Sequence, residues 1–455
     1  MKTSTPIQSP APWRTDRQND YPRMTLQSGV AILAGMKRSQ TGNRFTSDAG
    51  ILQLMDDLGS ALSGSDKKYM LGGGNPALIP DVAAVWRTQM ARMLEDSERF
   101  DRVLGQYDTP QGRPRFLRAI AGMLNREYGW DLSPDNIAIT NGSQSAFFML
   151  FNLLAGPGAD GAPDQTILFP LMPEYIGYRD QSIRSVDFTS FLPRIEQIDE
   201  HCHKYHIDFD ALTVPDSTAA ICVSRPTNPS GNVLTDAEVA RLDRLAVDHD
   251  VPLIIDNAYG TPFPDIIFSD VQPIWNRNIV LSMSLSKIGL PSLRTGILIA
   301  REEIVRAIGS MNAIMSLANG TVGQAITEEL FESGEILRIS RELVRPFYQR
   351  KSEHALAWTH RVFADRFPYS IHRSEGSLFL WMWFPGLPGT TADLYERLKA
   401  RNVIVVPGRY FCFGTHDQWE HTDRCIRVSY AMDNADVERG IELIAEEVER
   451  IWSAA

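Results

Sequence analysis

Six short apolar runs recur along the middle of the chain, at 137–139, 166–169, 219–223, 253–255, 279–283 and 296–300, and stretches with helical character lie between them. The runs are continuously apolar rather than alternating, so each needs cover on both faces. Strands of that kind, interleaved with helices, build a mainly parallel sheet with helices on both sides. Helices are predicted over 82–94 and from Pro114 to Tyr128. The spacing of Ile51, Leu54, Met55, Leu58 and Leu62 predicts an earlier helix, broken at Gly72-Gly73-Gly74-Asn75-Pro76.

After about Phe331 the character changes. A long charged helix is predicted over 335–361, an apolar strand over 377–384, a helix over 391–401, strands over 403–406 and 425–429, and a closing helix from Asp433. That order reads as a smaller α+β domain. The expected division is a flexible leader over 1–43, an N-terminal arm with part of the small domain over 44–84, a large domain over 85–330 and a small C-terminal domain over 331–455.

Composition narrows the function classes. Of 455 residues, 43% are hydrophobic and 22% charged, a globular balance. A net charge of -11 without a Lys/Arg-rich run argues against nucleic acid as a partner. No apolar run approaches the roughly 20 residues of a membrane helix, and 29–35 is short for a signal sequence. Cys202, Cys222, Cys412 and Cys425 form no CxxC pair, which fits a reducing compartment, and the cytoplasm is the expected location.

In an open α/β sheet the polar groups at strand ends make the site, and here several apolar runs end in a polar cluster. The run 279–283 leads to Ser284, Ser286 and Lys287, with Arg294 beyond. Alone, Ser-x-Ser-Lys also suits a surface lysine; the flanking hydroxyl and arginine point to an anionic ligand. A desolvated lysine can attack an aldehyde. The run 253–255 ends in Asp256-Asn257-Ala258-Tyr259, where the acid fits a helix cap as well as a charge partner. Asn228 follows the run 219–223 in Asn-Pro-Ser-Gly, a turn in its own right. Asn141-Gly142-Ser143-Gln144 follows the run 137–139 and suits either phosphate or an ordinary helix start. His201-Cys202-His203 with His206 invites a zinc reading, against which a polar loop edge weighs more. Trp381 and Trp383 read as core, and Arg225 as either a substrate contact or an ion-paired side chain.

Asn-Gly-Ser-Gln-Ser (141–145), Pro-Glu-Tyr (173–175), Asn-Pro-Ser-Gly (228–231), Asp-Asn-Ala-Tyr (256–259), Ser-Leu-Ser-Lys (284–287) and Ile-Arg-Val-Ser (426–429) occur in the order of a known family. The chain resembles the fold-type-I pyridoxal-phosphate aminotransferases, whose fold is aspartate-aminotransferase-like. It is most similar to their valine–pyruvate branch, through 72–77, 107–112, 140–148, 173–178 and 222–229. The likeness runs from about residue 44 to the C-terminus. It implies that Lys287 holds pyridoxal 5'-phosphate as a Schiff base and shuttles the substrate α-proton. It implies that Asp256 keeps the ring nitrogen protonated. Opposite charges about 4 Å apart at an effective dielectric near 20 attract by roughly 4 kcal/mol, about a thousandfold in rate.

The resemblance also assigns Tyr259 and Asn228 to the ring oxygen, Tyr175 to the ring face, and Ser143, Gln144, Ser284 and Arg294 to the phosphate. Tyr107 would reach the phosphate of a neighbouring subunit, implying a homodimer with shared sites. Arg427 would grip the substrate carboxylate as a fork, with Gly73 and Gly74 closing over it. The implied reaction moves an amino group between a small apolar amino acid, valine or alanine, and a 2-oxo acid. The same fold and cofactor also serve β- or γ-elimination, replacement and cyclisation, which the residues leave open. Ser292, where glycine is expected, and Asn319-Gly320-Thr321 depart from the family pattern. A retired, non-enzymatic fold would have no need to keep Lys287, Asp256 and Arg427 together.

Overall fold

The computed structural model describes residues 36–46, 67–184, 188–415 and 419–454. The helix predicted from Ile51 and most of the leader lie outside them. Within the leader, Gln40–Phe45 is a short helix capped by Ser39, whose side chain accepts from Gly42 N.

In chain order the strands are β1 (Tyr69–Met70), β2 (Ile137–Asn141), β3 (Thr166–Phe169), β4 (Phe188–Ser190), β5 (Arg194–Asp199), β6 (Cys202–His206), β7 (Thr218–Ser224), β8 (Leu253–Asp256), β9 (Ile279–Ser284), β10 (Thr295–Ile299), β11 (Ser370–His372), β12 (Phe379–Trp383), β13 (Val403–Ile404), β14 (Val406–Pro407) and β15 (Cys425–Ser429). Seven form one sheet in the order β2-β10-β9-β8-β7-β3-β4. Its neighbours are parallel except that β10 runs antiparallel to both β2 and β9. All six predicted runs lie in it. Their side chains divide between two buried clusters, one on each face, as continuously apolar strands require.

The helices around this sheet start and stop on local signals. Pro80–Glu95 and Pro114–Tyr128 each begin on proline, whose missing N–H is no loss in a first turn. The second ends at Gly129 in the left-handed region. Thr235 and Glu238 form a reciprocal cap on the helix Asp236–Asp248 that leads into β8.

A second, six-stranded sheet has the order β14-β15-β12-β11-β6-β5. Its outer hairpin, β5 and β6, comes from the middle of the chain and pairs through β6 with β11. The segment 201–206, expected as a loop edge, is therefore part of a strand pair. The charged helix predicted over 335–361 is Glu335–Arg338, a wider π turn over Ile339–Val344, and then Arg345–Phe363. β1 pairs with β13, and Leu71 O accepts from Ser429 N at 2.6 Å. Residues 72–74 thereby arrive beside β15 and above the ends of the first sheet.

Candidate active site

The carboxyl ends of β2, β7, β8 and β9 face one edge of the first sheet. Because β10 runs the other way, its amino end, with Arg294 just before it, lies on that same edge. Register fixes the neighbours: Ser224 is opposite Asp256, Asp256 opposite Ser282, and Gly296 opposite Ser284.

Lys287 is half-buried, and its Nζ donates to Gly74 O at 2.6 Å. The ammonium lies 5.3 Å from the centre of the Tyr259 ring. Burial, with Arg427 and Arg294 close by, pulls its pKa down to about 8, while Asp256 opposes the fall. Asp256 Oδ1 accepts from Ala258 N at 3.0 Å and Oδ2 from the Tyr178 hydroxyl at 2.5 Å. Burial raises its proton affinity, and the Tyr178 bond counters that rise.

Arg427, on β15, is buried between the two sheets. Nη1 donates to Asn228 Oδ1 and Nη2 to Gly72 O, both at 2.6 Å. Its guanidinium stacks on Phe379 at 4.1 Å and faces Phe411 at 5.1 Å. Its Nε is buried without a partner in the protein. Asn228 uses its carbonyl oxygen on Arg427, which leaves its amide N–H groups as the donors it can offer a ligand.

The helix Ser143–Leu154 starts at Gly142 with no side-chain cap, so its first N–H groups are open to an anion. Gly142 has φ +81, and a Cβ there would come within 2.0 Å of Arg294 Nη2. Glycine at that position lets the guanidinium settle over the helix start. Arg294 Nη1 reaches Ser286 Oγ at 3.5 Å, and Ser286 Oγ is 2.9 Å from Ser284 Oγ. Ser143 Oγ donates to Met283 O at 3.3 Å. Gly177 performs a similar service for Tyr175, whose ring a Cβ would meet at 2.4 Å.

These groups fit pyridoxal phosphate: an uncapped helix start with an arginine and two hydroxyls for phosphate, a buried acid for the ring nitrogen, and a lysine of lowered pKa for the aldehyde. Of the residues predicted from the sequence, Lys287, Asp256, Tyr259, Asn228, Arg294, Ser143, Ser284, Tyr175, Gly74 and Arg427 converge on this edge, with Gly73 between the bonded Gly72 and Gly74. Gln144 is exposed at the helix start, and Tyr107 is 84% exposed.

Other readings resolve differently. Arg225 is turned away and paired with Asp236 at 2.5 Å. His203 Nδ1 is 2.8 Å from Ser370 Oγ, and His206 lies between Glu196 and Glu238. Among the described residues no group of three or more His, Cys, Asp or Glu could hold a metal ion. Ser292 sits in a 3-10 turn over Pro291–Leu293. Asn319 is buried and bonds Pro110 O and Ile139 O at 3.0 and 2.8 Å. The sequence did not single out Tyr178, Ser224 or Glu174 for the site, although Glu174 and Tyr178 belong to the 173–178 motif.

A family model described as aminotransferase class I and II matches residues 73–444. The valine–pyruvate aminotransferase of Escherichia coli K12 is 49% identical over 418 residues, 92% of this chain and 99% of that protein. The crystal structure of valine–pyruvate aminotransferase from Salmonella typhimurium LT2 superposes with a TM-score of 0.82 at 47% identity, covering 89% of this chain and all of that one. Aspartate aminotransferase from Thermus thermophilus, at 21% identity and a TM-score of 0.71 over 90% of this chain and 99% of its own, shares the fold.

Proposed function

The chain belongs to the class I and II aminotransferases, and we propose that its substrates are valine or alanine as amino donor and pyruvate or 3-methyl-2-oxobutanoate as acceptor. It is a pyridoxal-phosphate-dependent transaminase of the aspartate-aminotransferase-like fold. The observation that carries the substrate reading is the near-full-length likeness to valine–pyruvate aminotransferase.

Pyridoxal phosphate, when bound, supplies an aldehyde carbon and an electron-accepting ring. Lys287 Nζ is the amine that would hold the aldehyde, and as a free amine it would take the proton from the substrate α-carbon. Asp256 holds positive charge at the ring nitrogen. Tyr259 and the Asn228 amide would donate to the cofactor's ring oxygen, and Tyr175 would pack on the ring. Ser143, Gln144, Ser284 and Arg294 hold the phosphate. Arg427 orients the substrate carboxylate as a planar fork, and Gly73 and Gly74 close over it. Two subunits complete each other's sites, Tyr107 of one reaching the phosphate bound by the other. Four free cysteines suit the cytoplasm.

The test is to add single amino acids to the holoenzyme and follow the cofactor absorbance. Valine and alanine should discharge it, and pyruvate or 3-methyl-2-oxobutanoate should restore it. Silence with all four, or ammonia released without amino transfer, would overturn the proposal.

A further inference from the structure

Behind Asp256 lies a line of buried oxygens that the reaction above does not use. Tyr178 Oη, 2.5 Å from Asp256 Oδ2, is 3.3 Å from Ser224 Oγ, which is 2.6 Å from Glu174 Oε2. Three segments bring these groups together. Glu174 and Tyr178 lie four residues apart in the chain after β3, Ser224 ends β7, and Asp256 ends β8 in register with it. Glu174 and Tyr178 have no exposed surface. Phe147, Phe151 and Phe169 pack around the Tyr178 ring at 4.8 to 5.7 Å between centres.

The line has three oxygen–oxygen gaps and a carboxyl group at each end. With both carboxyls ionised, only the Ser224 and Tyr178 protons are available. Each hydroxyl then turns to its nearer carboxylate, and lone pairs oppose each other across the 3.3 Å gap. With a proton on Glu174, three protons serve three gaps, all in one sense, toward Asp256. The buried setting favours this second arrangement, because a second unpaired negative charge near Asp256 is expensive in low dielectric. Glu174 Oε1 then accepts from Ser224 N at 2.9 Å, and Oε2 is 3.3 Å from Tyr175 N.

We propose that Glu174 is a neutral carboxylic acid and a positioning residue: its proton turns the Ser224 hydroxyl toward Tyr178, and the bond Tyr178 thereby accepts strengthens the one it donates to Asp256, which keeps Asp256 ionised toward the cofactor's ring nitrogen. This rests on the reading of Asp256 as the ring-nitrogen partner. Burial pushes the Glu174 carboxyl up to about 8, and the nearby Asp256 charge adds to the rise. The titratable groups facing the line are Tyr175 and Tyr178 from its own segment, Cys222 from β7, Asp256 from β8, and Lys287 from the end of β9.

The experiment compares wild-type holoenzyme with E174Q, E174A, Y178F and D256A by two readouts besides turnover. One is the pH titration of the bound cofactor's visible absorbance. The other is the infrared carbonyl stretch of a protonated carboxylic acid at neutral pH. Glutamine copies the neutral acid, its amide donating to Ser224 Oγ and its carbonyl accepting from Ser224 N. E174Q should therefore keep the wild-type titration and most of kcat, while losing the infrared band. Y178F should move the titration upward by about one pH unit and E174A by part of that, since a more weakly ionised Asp256 leaves the ring nitrogen less positive. Y178F should lower kcat about tenfold and E174A by less, both with little change in KM. A wild-type protein without the band, or E174Q displaced as far as Y178F, would sink the proposal even if E174A fails to fold. If D256A leaves the cofactor titration unchanged, the reading of Asp256 itself falls. If D256A alters it while E174A and Y178F match wild type, only the aligned line of protons falls.

Discussion

If Lys287 is the amine that takes the aldehyde, as proposed, it has to do so uncharged, yet it sits near a carboxylate that favours the ammonium. Desolvation, Arg427 and Arg294 win that contest and bring its pKa to about 8. A lysine whose proton affinity drops in the folded chain carries its proton below that value and sheds it above. Capture of pyridoxal phosphate by the apoprotein should therefore quicken with pH through a midpoint near 8 and level off about a unit above it. Removing the Asp256 charge in D256N takes away the one group that favours the ammonium, so the midpoint should move below 8. Stopped-flow absorbance against pH measures both. A midpoint near 10.5 in the wild type, or an upward move in D256N, would contradict this electrostatic account. Lys287, Asp256, Asn228 and Arg294 were legible in the sequence because each follows or precedes an apolar run within a few residues, so the strand end itself marks them. Tyr178 and Ser224 were not, because their partners come from segments about 50 to 80 residues away. No local spacing says which of two tyrosines, 175 or 178, turns toward the acid.

At the level of elements, the first sheet was readable because burial on both faces leaves an unbroken apolar run. β4 and β11 are three residues each, too short to carry a pattern. The hairpin β5–β6 escaped for a different reason. It contains Arg194, Glu196, Gln197, Lys204 and His206 and looks solvated, yet it joins the second sheet through a parallel pairing with β11, over 160 residues away. What fastens it is Lys204, whose Nζ bonds Glu375 Oε2, Asn232 Oδ1 at 3.2 Å and Val233 O at 3.1 Å. Glu375 Oε2 also accepts from Val233 N at 3.1 Å. This buried clasp ties the second sheet to the loop that carries Asn228. Removing one partner strands a buried charge, so K204M should cost about 3–5 kcal/mol in urea unfolding, and K204M/E375L should recover most of it. Losing the exposed Arg184–Asp164 pair in R184A should cost under about 1 kcal/mol. Equal losses in K204M and R184A would mean that the clasp is no more than a surface pair.

One chain leaves Tyr107 84% exposed, with Ile314 86% exposed near the end of the helix Glu302–Ser316. Asn312 of that helix bonds Pro110 O at 3.1 Å, which brings the helix end beside the 107–112 segment. Met315 and Leu317 add further exposed apolar surface there, the kind of patch a second subunit covers. Asn319 fixes the same segment from below through Pro110 O, so this departure from the family pattern supports the presentation of Tyr107. If each site draws Tyr107 from the other subunit, two defects can cure each other. K287A leaves no site of its own but still presents a sound Tyr107, whereas Y107A keeps Lys287 and weakens the phosphate grip. In a heterodimer of the two, one site combines Lys287 of the Y107A subunit with Tyr107 of the K287A subunit and is wild type. Mixed in equal amounts and allowed to exchange, about half of the dimers are mixed, with one intact site in two, so activity should return to about a quarter of wild type. Recovery no greater than the sum of the two parents, in a mixture that native mass spectrometry proves has exchanged, would mean that each chain builds its site alone.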